Sequence, residues 1–406
     1  MKKLLIASAA LAMVAGTAQA QSSVTVYGVL DIGYTATDNK FTASNGTSIS
    51  NKSSSTGNGD GALATSRFGV RGSEDLGAGR KANFVLEYDL VDAGVGGTGI
   101  LNAGTTANAT TTSSANTNGF GARYSWVGLE DAKLGQLRLG RQEQSIHSVL
   151  VSGSAGMANN VAGAIYSAGA PDINGQPASI RPHNVFVNRA ITYISPVANG
   201  FRVELQTANQ EIEVTGTTQN IKASENGASL KYSAGKLNLA YGMAEVKQQT
   251  ATTGDNATVS KQQGFAANYD LGKARVFALY AERENKLMGA LVQKTKATEL
   301  GVQVPMGKTT LWASGFDGSR DGSNNSSIGA GFNGITVGGA TNASLTTFNA
   351  ATADVSGYQV GAMHNLSKRT ALYAIYGKQD IKATTGAATG AKVASDAMAL
   401  GVRHSF

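Results

Sequence analysis

The chain has 406 residues, of which 51 are Gly, 5 are Pro and none is Cys; 15% are charged and the formal net charge is +7. The low charged fraction excludes ordinary disorder, and the lack of Cys excludes a disulfide framework. The positive excess is small and dispersed, without a basic run that carries interleaved aromatics, so nucleic acid is excluded as a partner. Abundant Gly with Ser, Thr and Asn favours many strands and turns.

The N-terminus has the pattern of a secretory signal peptide. Met1-Lys2-Lys3 precedes an apolar run over 4–15, and Ala18-Gln19-Ala20 is a small-x-small cleavage site. The run is too short to cross about 30 Å of hydrocarbon, and no stop-transfer charges follow it. We expect residues 1–20 to be removed and residues 21–406 to form one domain. Removal of the two lysines in residues 1–20 lowers the formal net charge from +7 to +5.

No later stretch approaches the length of a transmembrane helix, and the pattern that follows is that of strands. From Val24, VTVYGVLDIGY alternates roughly by two, and the Ser, Thr, Asn and Gly tract over 35–61 is predicted to be a loop. A hairpin follows in which Phe84 and Leu86 share one face while Asn83 and Glu87 share the other.

The hairpin unit recurs along the whole chain. Pairs of strand patterns of about ten residues flank short turns, and longer polar tracts separate one pair from the next. Counting the first and last strands gives sixteen strands, seven short turns and eight long loops. The predicted long loops cover 35–61, 91–119, 143–184, 210–221, 248–260, 285–290, 319–353 and 382–391.

The strict alternation of short and long connections is typical of a transmembrane β-barrel, as is the even strand number. FRVELQT at 201–207 places apolar residues on one face and Arg, Glu and Gln on the other. That period alone also fits a soluble barrel, so the interpretation rests on loop alternation, the signal peptide and the strand number. The predicted fold is therefore all-β: a 16-stranded antiparallel transmembrane barrel in the cell outer membrane, with its last strand paired to its first. Sixteen strands enclose a channel that side chains do not fill.

The third long connection has a special position in this plan. The segment 137–193 opens with LRLGRQEQ and closes with VFVNRAITY, and more than forty residues between these strands form neither a strand nor a long helix. So long a connection in a compact domain indicates a functional loop. We expect it to fold into the lumen and to limit what passes.

Catalytic and metal-binding patterns are weak. The four histidines form no HExxH motif, Cys is absent, and position 152 is Ser where a G-x-S-x-G motif around Ser154 would need Gly. GAGFNG at 329–334 leads to no predicted helix that could receive a phosphate. We therefore predict no enzyme activity, no catalytic residue, no metal site and no cofactor.

Several segments resemble the general-diffusion porins of Gram-negative outer membranes, most closely the β-proteobacterial branch. These are VTVYGVLDIGY, SRFGVRGSEDLGAG, LGQLRLGRQ, ITYISP and the terminal GVRHSF, and they span the mature chain in the order of the family. The resemblance implies a homotrimer in outer-membrane lipid, with the third external loop folded inward. It also implies passive diffusion of small hydrophilic solutes and inorganic ions through each barrel.

Porins of this kind carry arginines on the barrel wall opposite acidic groups on the constriction loop. Arg67 in SRFGVRG matches the first wall arginine. Alternation places Arg67 and Arg71 on the same face, opposite Phe68 and Val70. We expect both arginines to face the pore.

The further wall arginines are less regular. Arg141 in LGRQ matches a second family position but shares its face with Leu139, so it reaches the pore only if the strand loses register at Gly140. Arg189 and Arg181 are the candidates for a third position, and an exposed location at a strand end is the alternative for Arg141 and Arg189.

The loop is poor in acids. Between Gln142 and Asn188 the only carboxylates are Glu143 and Asp172, and SGSAGMANN replaces the acidic segment that is common in such loops. Fixed charges in a narrow pore with low-dielectric walls are weakly screened, so we expect a positive constriction and a preference for anions. A substrate-selective channel of the same fold and a non-conducting adhesin or structural barrel are the alternatives.

Overall fold

The chain is described by a computed structural model that covers residues 23–56, 61–90, 121–157, 159–166, 172–173, 176–177, 185–213, 220–249, 258–287, 289–322, 327–328, 348–386 and 389–406. The predicted signal peptide lies outside these residues. The described part is nearly all β and contains one short helix, α1 (His147–Ser152). Its strands are β1 (Ser23–Thr42), β2 (Ser48–Thr56), β3 (Arg67–Gly77), β4 (Arg80–Asp89), β5 (Gly121–Asp131), β6 (Gly135–Glu143), β7 (Asp172–Ile173), β8 (Gln176–Pro177), β9 (Phe186–Ile194), β10 (Phe201–Glu213), β11 (Asn220–Ala234), β12 (Leu237–Gln249), β13 (Thr258–Asp270), β14 (Arg275–Leu287), β15 (Ala290–Met306), β16 (Thr309–Gly322), β17 (Ser327–Ile328), β18 (Phe348–Asn365), β19 (Thr370–Gly386) and β20 (Lys392–Ser405).

The strands close into a single antiparallel barrel. Eighteen described strands form one sheet, of which β2 pairs only with β1 and β17 only with β18, so sixteen form the ring. Tyr34 of β1 lies opposite Leu400 of β20, and Gly28 and Phe406 exchange two backbone hydrogen bonds of 3.1 Å. The predicted strand number and the pairing of the last strand with the first are confirmed.

The first predicted loop differs from the structure. The tract 35–61 was expected to lack strands, but β1 continues through it to Thr42 and β2 folds back along β1. Thr37 and Ser53 contact each other across this pair, with 2.7 Å between their hydroxyl oxygens. Polar residues such as Ser, Thr and Asn form strands when neighbouring strands complete their backbone ladder, and β20 supplies that ladder for the end of β1. Pairing with neighbouring strands therefore outweighed the turn propensity of these residues.

The side chains alternate between an apolar outer face and a more polar inner face. On β10, Leu205 is 50% exposed on the outside, while the next residue, Gln206, is 5% exposed on the inside. On β12, Tyr241 and Met243 are exposed outward and Ala240 is buried inward. This alternation agrees with the predicted pattern of a barrel that faces lipid outside and water inside.

The third long loop folds into the barrel, as predicted. Helix α1 lies against β12 and β13, and Val149 and Leu150 are fully buried. A Cβ atom on Gly242 would lie 2.9 Å from Val149 Cγ2, and one on Gly264 would lie 2.7 Å from Leu150 Cδ2. The inner wall lacks side chains where the helix packs, so the helix reaches the backbone of the strands.

Hydrogen bonds hold the loop along the wall after α1. Gln303 Nε2 on β15 donates to the Ala155 carbonyl at 2.6 Å, and the Ile165 amide donates to Glu299 Oε2 at 2.7 Å. The Asn160 amide then donates to the Ala62 carbonyl at 2.8 Å, at the base of the first loop. The loop thus crosses the interior from β6 to the opposite wall, and its position is fixed at several points.

Candidate functional site

The third long loop, which connects β6 to β9 and is called loop 3 from here on, narrows the interior to a cavity of about 680 Å³ between α1 and the strands β3 to β6. Four arginines and two carboxylates are among its lining residues, which gives a formal net charge of +2, the difference between four and two. The arginines come from the wall strands, and His147 of α1 also lines the cavity. The charged residues are Arg67, Arg71, Arg123, Arg138, Glu87 and Glu143.

Glu87 of β4 is the acidic centre of the wall. Its side chain accepts a hydrogen bond of 2.8 Å from Arg123 Nε and lies 3.6 Å from Arg67 Nε. The Tyr27 hydroxyl donates to the same carboxylate at 2.9 Å. One carboxylate therefore serves two guanidinium groups and fixes their positions, while one positive charge of the trio stays uncompensated.

A β-bulge turns Arg123 toward the interior. The register of β4 with β5 shifts between Glu87 and Tyr88, so that Glu87 lies opposite Tyr124 and Tyr88 lies opposite Ala122. Arg123 is the extra residue, and both Arg123 and Tyr124 line the cavity. A bulge puts two consecutive residues on one side of a sheet, which strict alternation does not predict.

The loop side of the cavity carries the second carboxylate. Glu143 ends β6, and its Oε2 lies 3.2 Å from Nδ1 of His147, four residues later in the chain. The Tyr124 hydroxyl also hydrogen-bonds Glu143. The carboxylate therefore connects the loop to the wall at the point where the chain leaves β6.

Compared with Arg67 and Arg123, Arg71 and Arg138 lie nearer the short-turn ends of their strands, β3 and β6, and their surroundings differ. Arg138 Nε donates to Gln136 Oε1 at 2.7 Å. Within the ranges described above, no carboxylate forms an ion pair with either Arg71 or Arg138. Their charges are consequently available to solutes in the cavity.

The structure places Arg67 and Arg71 in the cavity but puts Arg141 at the rim of the wall. The predicted register break exists, because the pairing of β6 with β9 shifts between Gly140 and Gln142. Arg141 nevertheless stays in register with Ser125 of β5 and shares the exposed side of Leu139. A bulge on β9 absorbs the shift, so the side of β6 on which Arg141 lies does not change.

Arg141 folds over the rim instead of pointing down the pore. Its Nε donates to the Ala122 carbonyl at 2.7 Å and its Nη1 to Asn188 Oδ1 at 2.6 Å. Arg189 is exposed beside it in the β9 bulge, with a φ of 55°. Neither residue is among those that line the cavity of Arg67 and Arg71.

For two other predicted site residues, Arg181 and Asp172, the side chain lies outside the described part of the structure. Arg181 lies outside the described residues, and of Asp172 only the backbone is described, in the small β7 and β8 hairpin. Glu143 lines the cavity. A further carboxylate, Glu299, faces the interior from β15, but it is fully buried under the loop at Ile165 and does not line the cavity.

The sequence interpretation missed three charged residues of this cavity. Arg138 alternates with Leu137 and Leu139, so its inward orientation was readable from the sequence. Glu87 was correctly assigned to the polar face of its strand, but not to the site. Arg123 had no such signal, because its orientation depends on the bulge between β4 and β5.

Two negative findings apply to the residues described. No helix among them is long and apolar enough to cross a membrane. No group of three His, Cys, Asp or Glu residues within these ranges could hold a metal ion.

Comparison with known proteins agrees with this architecture. The model of the family described as Gram-negative porin matches residues 7–384. Outer membrane porin protein 32 of Delftia acidovorans is 29% identical over 381 residues, which cover 92% of this chain and 88% of that protein. An outer membrane porin of Bordetella pertussis is 27% identical over 436 aligned positions that cover 100% of both chains.

Solved structures show the same fold. An anion-selective porin from Comamonas acidovorans has a TM-score of 0.65 at 23% identity, covering 95% of this chain and 100% of that one. OmpT of Vibrio cholerae has a TM-score of 0.57 at 13% identity, covering 95% of this chain and 98% of that one. The family match extends over most of the sequence, and the barrel and inward loop agree with it. The chain belongs to the Gram-negative porin family and forms an outer-membrane channel for passive diffusion.

Proposed function

We propose that the cavity around Arg67, Arg71, Arg123 and Arg138 is the constriction of the channel and that it prefers anions. The observation that carries this proposal is the imbalance of four arginines against two carboxylates, Glu87 and Glu143, in a single cavity. Charges near low-dielectric walls act over longer distances than charges in bulk water, so a small excess changes the ion concentrations in the narrow part.

The relative from Comamonas acidovorans is named an anion-selective porin, which agrees with this preference. Two features of the wall support it for the present chain. Arg71 and Arg138 form no ion pair in the described structure, and Arg67 shares its only carboxylate partner with Arg123. Anions would be attracted to the wall, while loop 3 limits their size.

The experiment is a reversal-potential measurement with purified protein in a planar bilayer under a gradient of KCl. Potassium and chloride have nearly equal mobilities, so the sign of the potential reports the selectivity of the channel. We expect the sign that corresponds to chloride permeation, and a cation-preferring sign would overturn the proposal. A current that is linear in voltage and does not saturate with salt supports general diffusion, whereas saturation by one solute supports the substrate-selective alternative.

We further infer that the protein is a homotrimer whose copies meet at the side of the barrel wall that is formed by the shortest strands. Strands β3, β4, β5, β6 and β9 have 11, 10, 11, 9 and 9 residues. Strands β15, β18 and β19 on the other side have 17, 18 and 17. On β6 the exposed outer strip consists of Leu137 and Leu139 and ends at Arg141.

An apolar strip of two alternate residues is shorter than the band of roughly 25 Å that faces lipid in transmembrane barrels. Burial against other copies removes this mismatch. Sedimentation of detergent-solubilised protein should give the mass of three chains. A monomeric mass in a mild detergent that preserves the barrel would contradict the inference.

A further inference from the structure

Aromatic rings surround the cavity together with the arginines. The cavity is lined by Tyr27 of β1, Tyr124 and Trp126 of β5, Tyr166 of loop 3 and Phe186 of β9. All except Tyr166 are partly exposed to the interior. A site that needed only positive charge would not require these rings, so their presence indicates an additional property of the site.

Three of the guanidinium groups that line the cavity lie over aromatic faces, and Arg141 at the rim lies over the Phe186 ring at 5.2 Å. Arg138 Cζ lies 4.4 Å from the centre of the Trp126 ring, and Arg71 Cζ lies 5.2 Å from the centre of the Tyr27 ring. Arg123 Cζ lies 4.8 Å from the centre of Phe186. Rings attract cations at these distances without neutralising their charge, so they orient the guanidinium groups and leave them able to bind anions.

Strand register brings an unpaired arginine close to a large ring. Arg71 of β3 and Trp126 of β5 are both register partners of Val85 on β4, which lies between them. All three side chains line the cavity, and two strand spacings separate the outer pair by roughly 10 Å. Val85 has the smallest of these three side chains, so the longer side chains of Arg71 and Trp126 flank the part of the cavity that lies above it.

From this arrangement we propose that the cavity contains a weak binding subsite for aromatic carboxylates. The carboxylate binds the guanidinium of Arg71, and the flat ring of the solute stacks on the face of the Trp126 indole opposite the one that Arg138 covers. This inference rests on the proposed anion preference and adds a solute class to it. Carboxylates match the fork of a guanidinium, and flat rings gain additional attraction from stacking on another ring.

The test compares two solutes of equal charge and similar size, benzoate and cyclohexanecarboxylate. Each is titrated into chloride-conducting channels in a planar bilayer, and the concentration that halves the chloride current is measured. We expect benzoate to be effective at a concentration about three- to tenfold lower, because only the planar ring can stack. Equal concentrations for the two solutes would overturn the proposal, and this comparison requires no variant.

Variants then locate the subsite. In Trp126→Leu the advantage of benzoate over cyclohexanecarboxylate should disappear, whereas Tyr241→Leu, which removes a ring from the outer face, should retain it. An unchanged benzoate advantage in Trp126→Leu would overturn the assignment. The reversal potential of the unaltered protein is measured separately. A cation preference there refutes the proposed function, while an anion preference without discrimination between the solutes refutes only the subsite.

Discussion

Asn159 of loop 3 and Gln359 of β18 bond to each other through both ends of their amide groups. Asn159 Nδ2 donates to Gln359 Oε1 at 2.5 Å, and Gln359 Nε2 donates to Asn159 Oδ1 at 3.1 Å. Gln359 Nε2 also donates to the Val161 carbonyl at 2.9 Å. Both side chains are buried, so this contact fastens the loop to the wall on the far side of the barrel.

Replacing Gln359 by Leu should loosen the loop and widen the range of pore sizes. The change removes the hydrogen bonds of Gln359 to Asn159 and to the Val161 carbonyl and takes away the acceptor of the buried Trp312 Nε1, which costs roughly 1–3 kcal/mol of attachment. We expect larger current fluctuations in single channels and faster uptake of larger sugars in liposome swelling. Gln263→Leu, on the outer face of β13, is the matched control. Identical currents and uptake for the two variants would show that the amide pair does not fix the loop.

Gly377 should not tolerate even Ala. A Cβ atom there would lie 1.7 Å from the Ala162 carbonyl oxygen, and a backbone atom of the loop has no side-chain rotamer with which to move away. We expect Gly377→Ala to push loop 3 into the lumen and to lower the single-channel conductance. Gly315→Ala is the control, because the nearest atom there, the Gly357 carbonyl oxygen, is 3.7 Å away. Equal conductance in both variants would contradict this packing.

Asp31 should contribute to stability through the base of the first loop. Its fully buried carboxylate accepts hydrogen bonds from the Leu63 amide at 3.0 Å, the Ala64 amide at 2.6 Å and the Tyr373 hydroxyl at 2.6 Å. In Asp31→Asn, an NH₂ group replaces one acceptor, so at least one of these donors loses its partner. We expect a loss of about 1–3 kcal/mol in the free energy of unfolding.

This change is measured by urea unfolding in lipid vesicles, with Trp fluorescence as the signal. The control is Asp317→Asn on β16, where the side chain is exposed. The prediction fails if the two variants unfold at the same urea concentration.

Arg71→Glu should reduce the anion preference strongly. It replaces an unpaired positive charge in the cavity by a negative one. We expect the ratio of chloride to potassium permeability to fall severalfold, and the fall should be greatest at low salt, because screening over about 10 Å is effective at 0.1 M. Arg189→Glu makes the same charge change at the rim and should have a much smaller effect. Equal shifts in reversal potential would place the selectivity at the mouth instead of the cavity.

Glu87→Gln should change selectivity in the opposite direction. Glu87 is the wall carboxylate that lies within ion-pair distance of both Arg67 and Arg123. Without its charge, the two guanidinium groups are more available to anions, so we expect a higher ratio of chloride to potassium permeability. Glu130→Gln, near the turn between β5 and β6, is the control for the loss of one carboxylate. A decrease in anion preference would show that the ion pair is needed to position the arginines.

The sequence by itself determined the architecture. Strand number, the alternation of short turns with long loops and the outward face of residues such as Leu205 all follow from local patterns. A period of two and the residues of a turn are properties of neighbouring positions, so they are readable without knowing which strands pair. For the same reason the inward orientation of Arg67 and Arg71 was predicted, because both alternate with the apolar Phe68 and Val70 on the opposite face.

Only the tertiary structure decided which charges meet in the cavity. Bulges placed Arg123 inside and kept Arg141 at the rim, and the position of a bulge depends on the partner strand as well as on the strand that carries it. The path of loop 3 likewise depends on glycines of distant strands, such as Gly264 and Gly377, which leave space on the wall. A one-residue change in register moves every following side chain to the other face of the sheet. Because such changes depend on the partner strand, alternation within one strand predicts only part of the set of side chains that line the cavity.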